Sequence, residues 1–462
     1  MVVCFDGDMQ MRATVWLLIA QFLISGQEVA LTLDQAVERA VSTYPAVRVS
    51  LEHVSAAAAG IDLARTSYLP RADFLGQANR ATHNNVFGML LPQAVIPSIS
   101  GPVLGTNSFN NVWGTAVGGL VSWEPFDFGL RKANVDVARA VRDQANAQVS
   151  VTKLQVAAAA ADTFLTILAA EDTLTTARAG AERARVVNQT VEALVKNELR
   201  PGADASRTRA ELAFAETQVI QAQQALDVAR AALAQLLGVA SNALVVQAGP
   251  FRNLPPQQPT ATAAVAQHPL AVAQQATVEE VRSRERALNR SYFPRFNLQG
   301  AAYARGTGAH PDGTTGGPAS GLGPNIQNWG LGLTVTFPAF DLFSIRARQQ
   351  IEQHNERAED ARYNQVLQDL NGGLEKANAI LAGARRVAQN TPVQLEAARA
   401  TEQQATARYK AGLANVIEVA EAERILTQAE IDDALAKLGV WRGLLGLAVA
   451  GGDVQPFLAI SR

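Results

Sequence analysis

The chain combines two patterns of hydrophobic and polar positions. The first is a helical pattern, in which small apolar residues, mostly Ala, Val and Leu, recur every three or four positions. This pattern predicts long helices over about 129–197, 204–237, 342–410 and 416–446. At about 1.5 Å per residue, a helix of roughly 70 residues is on the order of 100 Å long. Such a helix needs lateral partners along its length, so we expect a coiled-coil-like bundle.

The second pattern is strict alternation of apolar and polar residues, which is typical of β-strands. It occurs at about 71–80, 112–123, 295–305 and 329–337. Strands of roughly 9–11 residues with one apolar face and terminal aromatics suit a transmembrane β-barrel. The residues expected to face lipid are Trp113, Trp123, Trp329, Leu331, Leu333 and Phe337. A soluble sandwich would explain one such strand, but four of them between very long helices favour the barrel.

Both patterns occur twice along the chain. The matching motifs are AVSTYP at 40–45 with AVAQHP at 264–269, SYLPR at 67–71 with SYFPR at 291–295, and PFDFG at 125–129 with PAFDL at 338–342. Several similar motifs in the same order indicate an internal duplication. We therefore expect a first structural repeat over 27–250 and a second over 251–462, each with a helix, two strands and two long helices. The first helix of each repeat is the Ala-rich segment at about 32–66 and at about 260–290.

Four strands are too few to enclose an aqueous pore, because a barrel of about eight strands is already filled by side chains. Strand edges left unpaired in lipid would cost several kcal/mol per backbone group. The protomer must therefore associate with copies of itself. Two copies supply eight strands, three supply twelve and four supply sixteen, and strand count alone does not decide between the larger assemblies.

The N-terminal residues 1–26 are predicted to be a signal peptide. Val15–Ile24 is an apolar run that follows Arg12 and is too short to span a bilayer as a helix. A buried N-terminal helix is the alternative, and Met9 or Met11 are alternative start positions. No later segment has about 18 uninterrupted apolar residues, so we expect no helical membrane spans.

Composition and motifs argue against several other classes of function. Charged residues make up 18 % of the chain and the formal net charge is −2, so no attraction to nucleic acid is expected. The single cysteine, Cys4, lies before the apolar run, and the five histidines are scattered. There is no Ser/His/Asp arrangement and no phosphate-binding loop. We therefore predict no catalytic, cofactor or metal site, and no enzymatic activity.

The order of these parts resembles the TolC-like outer-membrane efflux protein family, the outer membrane factors of tripartite export systems. The resemblance covers nearly the whole chain after residue 26. It rests on the paired Tyr-x-Pro motifs, PFDFG at 125–129 and RYKAGLANVIEVAEA at 408–422. It implies a mixed α and β membrane protein: a homotrimer with a twelve-stranded barrel in the bacterial outer membrane and a twelve-helix tunnel in the periplasm. It also implies a periplasmic adaptor protein and an inner-membrane pump as partners.

The resemblance also assigns roles to individual residues. Glu418 and Glu421 match acidic residues that ring the periplasmic entrance of the tunnel, and their spacing of three places them on one helical face. An ordinary solvated helix surface is the alternative explanation for both. Asp204 and Tyr409 match positions that hold the closed mouth by a side-chain hydrogen bond.

Two positions depart from the family pattern. Ala414 stands where the best-known member of the family has an Arg that also holds the closed state, so gating here is expected to be looser, and Glu198 replaces a Gly of the first repeat. The predicted function is a passive exit duct for efflux or type I secretion. The alternative is a periplasmic coiled-coil adaptor without a pore of its own.

Overall fold

The computed structural model of the chain describes residues 29–82, 110–241, 244–256, 264–310, 312, 314–337, 339 and 341–461. The predicted signal peptide at 1–26 lies outside these residues. The described chain forms two compact units. The first unit comprises the described parts of Met1–Leu51, Gln148–Val272 and Gln365–Arg462, and the second comprises those of Glu52–Ala147 and Ala273–Asn364. Each unit therefore combines segments from both predicted repeats.

The described residues include eight α-helices and six β-strands. In chain order they are β1 (Val29–Leu31), α1 (Leu33–Thr43), α2 (Pro45–Thr66), β2 (Arg71–Thr82), β3 (Asn111–Phe126), α3 (Leu130–Lys196), α4 (Gly202–Leu237), β4 (Leu244–Val246), α5 (Pro269–Arg290), β5 (Arg295–Thr307), β6 (Ile326–Thr336), α6 (Leu342–Lys410), α7 (Val416–Ala450) and α8 (Gln455–Ile460). The long helices lie close to their predicted bounds. The largest difference is at α7, which ends at Ala450 rather than at about 446.

The helical segment predicted over 32–66 is two helices. Tyr44 ends α1 with an extended backbone, φ −65° and ψ 127°, and Pro45 begins α2. A proline disfavours the helical conformation in the residue before it, which explains the break. The second repeat behaves alike, because His268 is extended and Pro269 begins α5.

The first unit is built around the apolar middle of α3. Phe164, Leu165 and Ile167 are fully buried there, within a cluster that includes residues of α1, α4 and α7. Phe251 and Trp441 add an edge-to-face aromatic pair with ring centroids 4.8 Å apart. The Trp441 Nε1 donates to the Asn253 carbonyl over 2.9 Å, so the indole is also satisfied as a polar group. The parallel pair β1–β4 joins the ends of the first repeat.

Among the described helices, α3 is apolar enough over 18 residues to span a membrane by length and composition. However, 56 % of that window is buried within the protein. Burial in the core of the first unit therefore accounts for its composition.

The helix α3 also approaches α7 closely at a glycine. A Cβ placed on Gly180 would lie 2.7 Å from the Thr427 Oγ1, nearer than real Cβ contacts. Leu174, Ala177 and Ala181 flank this point and are buried. The seam of small residues thus permits the helices to pack at short distance.

The second unit contains one antiparallel sheet with the strand order β2–β3–β5–β6. Strand β3 pairs with one strand of each repeat, since Gly119 lies opposite Phe74 of β2 and opposite Ala302 of β5. A bulge interrupts the ladder between Trp123 and Phe126. Within the described residues, β2 and β6 each pair with one strand only, so they are the edges of the sheet.

The PFDFG motif turns the chain from β3 into α3. Phe128 and Gly129 both adopt the left-handed conformation, with φ of 51° and 89°. The Asp127 carboxylate accepts from the backbone N–H of Gly129 at 3.1 Å and of Arg131 at 2.6 Å, and it caps the helix. The Arg131 guanidinium returns a 3.0 Å bond to Asp127 and lies 4.8 Å over the ring of Tyr68. The SYLPR motif, which contains Tyr68, and the PFDFG motif thus form one structural element.

Candidate functional site

One face of the sheet is apolar and uncovered by the described residues. Phe74 is 90 % exposed, Trp329 83 % and Leu331 71 %, and Leu333 and Phe337 are exposed as well. The register places these side chains in one surface, because Gly119 lies opposite Phe74 and Ala302 lies opposite Trp329. Large apolar side chains in such numbers on one face indicate a surface that contacts something other than water.

The two tryptophans of β3 take different positions at the ends of this face. Trp123 is exposed, and its Nε1 donates to the Tyr68 carbonyl over 3.1 Å. Trp113 is half-buried, and the Arg80 guanidinium lies 5.3 Å from its ring. Both side chains therefore combine an apolar ring with a polar contact, as aromatics at a membrane interface do.

The opposite face of the sheet is mostly polar. Gln299, Tyr303 and Arg305 of β5 lie on it, and so do Asn328 and Thr334 of β6. This alternation is the apolar-out, polar-in pattern of a barrel wall. The buried residues Leu120 and Ala301 also lie on this face.

The first unit presents two similar turns, one between α3 and α4 and one between α6 and α7. In the first, Leu199 N–H donates to the Leu194 carbonyl over 2.9 Å, and in the second Leu413 N–H donates to the Arg408 carbonyl over 2.8 Å. Glu198 and Gly412 occupy the same left-handed position, with φ of 59° and 76°. The repeats therefore end their long helices in the same way, with glycine in one turn only.

Tyr409 lies beneath these turns in a small apolar cluster with Val191, Ala414, Val416 and Val419. Its ring is 4.9 Å from the guanidinium carbon of Arg200. Its buried hydroxyl has no hydrogen-bond partner within the part of the chain that the structure describes.

Burial raises the pKa of Tyr409, and the negative charge of Asp204 raises it further while Arg200 lowers it. Asp204 is thus near Tyr409 and acts on it by charge, but the described contacts of this single chain include no hydrogen bond between the two. The predicted latch role stays a prediction.

The two glutamates predicted for the entrance ring both lie at the start of α7 and are exposed, and each has an arginine beside it. The Arg408 Nη1 is 3.7 Å from the Glu418 Oε2, and Arg424 forms an ion pair with Glu421. Each carboxylate is therefore partly neutralised within its own chain. Sequence reasoning missed these partners, although the spacing of Glu421 and Arg424 signals one of them.

A second charged group, which the sequence did not single out, joins α3 to α7. The Arg183 guanidinium contacts Glu423 at 2.7 Å, Glu430 at 3.1 Å and the Thr427 hydroxyl at 2.8 Å. Burial raises the pKa of Glu423, and Arg183 partly offsets that effect. Glu423, Thr427 and Glu430 share a helical face, and that spacing is the only sequence signal for this group.

A sheet with an exposed apolar face, together with a bundle of very long helices, defines the class of outer-membrane channels that continue into a helical tunnel. The model of the outer membrane efflux protein family matches residues 36–239 and 261–452. The chain belongs to the outer membrane efflux protein family. Its predicted family, its place in the outer membrane and its role as an efflux channel are thereby confirmed.

Solved channels share this fold. The outer-membrane channel OprN is 23 % identical, with a TM-score of 0.70 over 91 % of this chain and 89 % of that chain. The Campylobacter jejuni channel CmeC is 16 % identical, with a TM-score of 0.74 over 93 % and 89 %. The Vibrio cholerae protein VceC is 16 % identical, with a TM-score of 0.68 over 91 % and 96 %. No curated protein gives a significant sequence match.

Proposed function

We propose that three copies of the chain form the exit duct of a tripartite efflux system, with a twelve-stranded barrel in the outer membrane and a twelve-helix tunnel in the periplasm. The observation that carries the proposal is the four-stranded sheet with an exposed apolar face and two open edges. The duct conducts passively.

The edges of the sheet provide the argument for assembly. The outward backbone groups of β2 and β6 have no strand partner among the described residues. In lipid each such group costs several kcal/mol. Pairing the β6 of one copy with the β2 of the next satisfies both edges and continues the antiparallel order. Three copies give twelve strands, enough for a lumen wider than a side-chain-filled barrel of about eight.

The faces of the sheet then take distinct roles. The face with Trp329, Leu331 and Leu333 contacts lipid, and the face with Gln299 and Thr334 lines the lumen. A periplasmic adaptor without a pore would leave the first face in water, which the hydrophobic effect opposes. The exposed face therefore favours the duct over the adaptor alternative.

The paired turns at the ends of α3 and α6 form the periplasmic mouth in this proposal. Glu418 and Glu421 face the entrance, where three copies would gather six carboxylates. Because Arg408 and Arg424 accompany them, we expect a weaker cation preference than six free carboxylates would give. A periplasmic adaptor protein and an inner-membrane pump are the proposed partners, and a type I secretion system is the second candidate pathway.

Purified full-length protein in detergent provides the test. We expect a heat-sensitive trimer on gels and discrete ion-conducting steps in planar lipid bilayers. A protein that is a water-soluble monomer without detergent, or a detergent-solubilised trimer that never conducts, would refute the proposal.

A further inference from the structure

The turn between α3 and α4 carries an arginine with an unusual contact. Arg200 is half-buried, and its guanidinium lies 4.9 Å from the Tyr409 ring. No carboxylate lies within ion-pair distance of Arg200 among the described residues. By contrast, Arg408 and Arg424, on α6 and α7, each have one, at Glu418 and Glu421. The aromatic ring is therefore the main contact of this cation, and not a by-product of an ion pair.

The two turns differ at this position in a way that the duplication makes visible. Lys196-Asn197-Glu198-Leu199-Arg200 in the first turn corresponds to Lys410-Ala411-Gly412-Leu413-Ala414 in the second. The first turn thus has the arginine, and the second has a buried alanine that packs in the cluster around Tyr409. Arg200 reaches from the first repeat onto the aromatic residue of the second.

The ring of Tyr409 packs against residues of both repeats, so its contact with Arg200 can connect the two turns. It packs on Val191 of α3 and on Val416 and Val419 of α7. Its hydroxyl is buried and makes no hydrogen bond within the described residues, so the ring faces rather than the oxygen hold the residue in place. A contact of Arg200 with this ring therefore fixes the α3–α4 turn against α6 and α7.

We propose that Arg200 is a positioning residue of the closed mouth: its guanidinium on the Tyr409 ring holds the α3–α4 turn against the α6–α7 turn, and this contact breaks when the mouth opens. The inference rests on the proposed function, because a mouth exists only if these helices line a duct. It assigns the closing contact to a cation and a ring, rather than to the Tyr409 hydroxyl.

Single-channel recording of the full-length trimer tests this assignment. We expect Arg200→Ala to raise the ratio of open to closed time by at least about two- to five-fold, the range of one exposed cation–π contact. Arg200→Lys keeps the charge with a poorer stacking surface and should give a smaller increase. Arg207→Ala is the matched control, because it removes an exposed cation from the start of α4 and should leave gating unchanged.

Variants of Tyr409 separate the ring from the hydroxyl. Tyr409→Phe keeps the ring and should gate like the parent protein. Tyr409→Leu removes the ring, so adding Arg200→Ala to it should have no further effect on gating. If Tyr409→Phe opens the channel as much as Arg200→Ala, the hydroxyl holds the mouth and the inference is overturned.

Two further outcomes also decide the matter. If Arg200→Ala and Arg207→Ala show the same ratio of open to closed time, Arg200 has no special role in gating and the inference is overturned. The proposed function is unaffected by that result, because the parent channel still conducts. If Arg200→Ala does not assemble, Arg200→Lys carries the test, and parent-like gating in that variant overturns the inference. A parent protein that never conducts contradicts the proposed function itself.

Discussion

At the scale of single residues, Glu198 occupies a backbone conformation that favours glycine. Its φ of 59° is left-handed, which costs a residue with a Cβ about 1–2 kcal/mol. Gly412 holds the same position in the other turn. We predict that Glu198→Gly raises the free energy of unfolding by about 1 kcal/mol, measured by chemical denaturation of the purified protein.

The neighbouring residue supplies the control for this prediction. Asn197 is not among the residues with positive φ, and its Nδ2 donates to the Ala193 carbonyl over 2.7 Å. Asn197→Gly therefore adds flexibility, removes that hydrogen bond and should destabilise the protein. Equal effects of the two glycine substitutions would show that the conformation of Glu198 is not strained.

His268 provides a pH-dependent contribution to stability. Its Nδ1 accepts from the Leu270 N–H over 3.1 Å, so the neutral ring carries its proton on Nε2, which lies 3.3 Å from the Val449 carbonyl. Burial lowers the pKa of His268, and the contact with the Val449 carbonyl only partly opposes this. The unfolded chain therefore binds the proton more readily than the folded chain does.

It follows that this stabilisation is complete above the unfolded pKa of about 6.5 and is lost as the pH falls below it. We predict a lower unfolding free energy at pH 5 than at pH 7.5, with a smaller difference in His268→Asn. Asparagine can accept from the Leu270 N–H without titrating. An unchanged pH profile in that variant would assign the acid sensitivity to other groups.

The residues of the candidate site were only partly predictable. Glu418 and Glu421 stand out because acidic side chains at a spacing of three share a helical face. Their arginine partners reduce the negative charge expected of the proposed mouth. The contact between Arg408 and Glu418 crosses the α6–α7 turn, whose three-dimensional geometry is not evident from the sequence. The contact between Arg200 and Tyr409 joins distant parts of the chain, so no local pattern predicts it.

At the scale of elements, the start of α3 depends on a buried ion pair that is also a helix cap. The side chains of Asp127 and Arg131 are less than 10 % exposed. Hydrogen bonds from Arg131 and Gly129 lower the pKa of Asp127 despite its burial, which alone would raise it. The carboxylate therefore stays charged and paired at neutral pH.

We predict that Asp127→Ala lowers the unfolding free energy by about 3 kcal/mol, because it leaves Arg131 buried without its partner. Asp127→Asn should cost less, since the amide oxygen can still cap the helix. Asp136→Ala, which breaks an exposed pair with Arg139 on the same helix, should change stability by less than about 1 kcal/mol. Similar losses for Asp127→Ala and Asp136→Ala in urea unfolding would contradict this account.

The elements themselves follow closely from local patterns. The alternation at 329–337 predicts a strand that the structure has at Ile326–Thr336, because a half-covered sheet repeats every two residues. The division at Pro45 was missed, because the apolar spacing continues across it while the backbone cannot. The role of Asp127 as a cap was missed because PFDFG was used only as a repeated motif, although Arg131 four residues later was a usable signal.

At the scale of the whole molecule, the two faces of the sheet predict opposite responses to charge. Leu331→Arg places a cation on the apolar face. For a site near the middle of the bilayer, it should make the free energy of assembly in the membrane less favourable by about 2–4 kcal/mol. Thr334→Arg lies on the same strand but on the polar face, so it should still assemble. The trimer fraction recovered from outer membranes measures both, and loss in both variants would argue against a lipid-facing side.

The open edges of β2 and β6 have a consequence for the cell that makes the protein. In the proposed trimer, a single chain would leave both strand edges unpaired in lipid. We therefore expect only complete trimers to insert stably into the membrane, and insertion to slow steeply when synthesis falls. A variant with one blocked edge could still pair with wild-type copies through its other edge, and the trimers that contain it would not close. Such an allele would be dominant over the wild type, whereas a chain that fails to fold would be recessive.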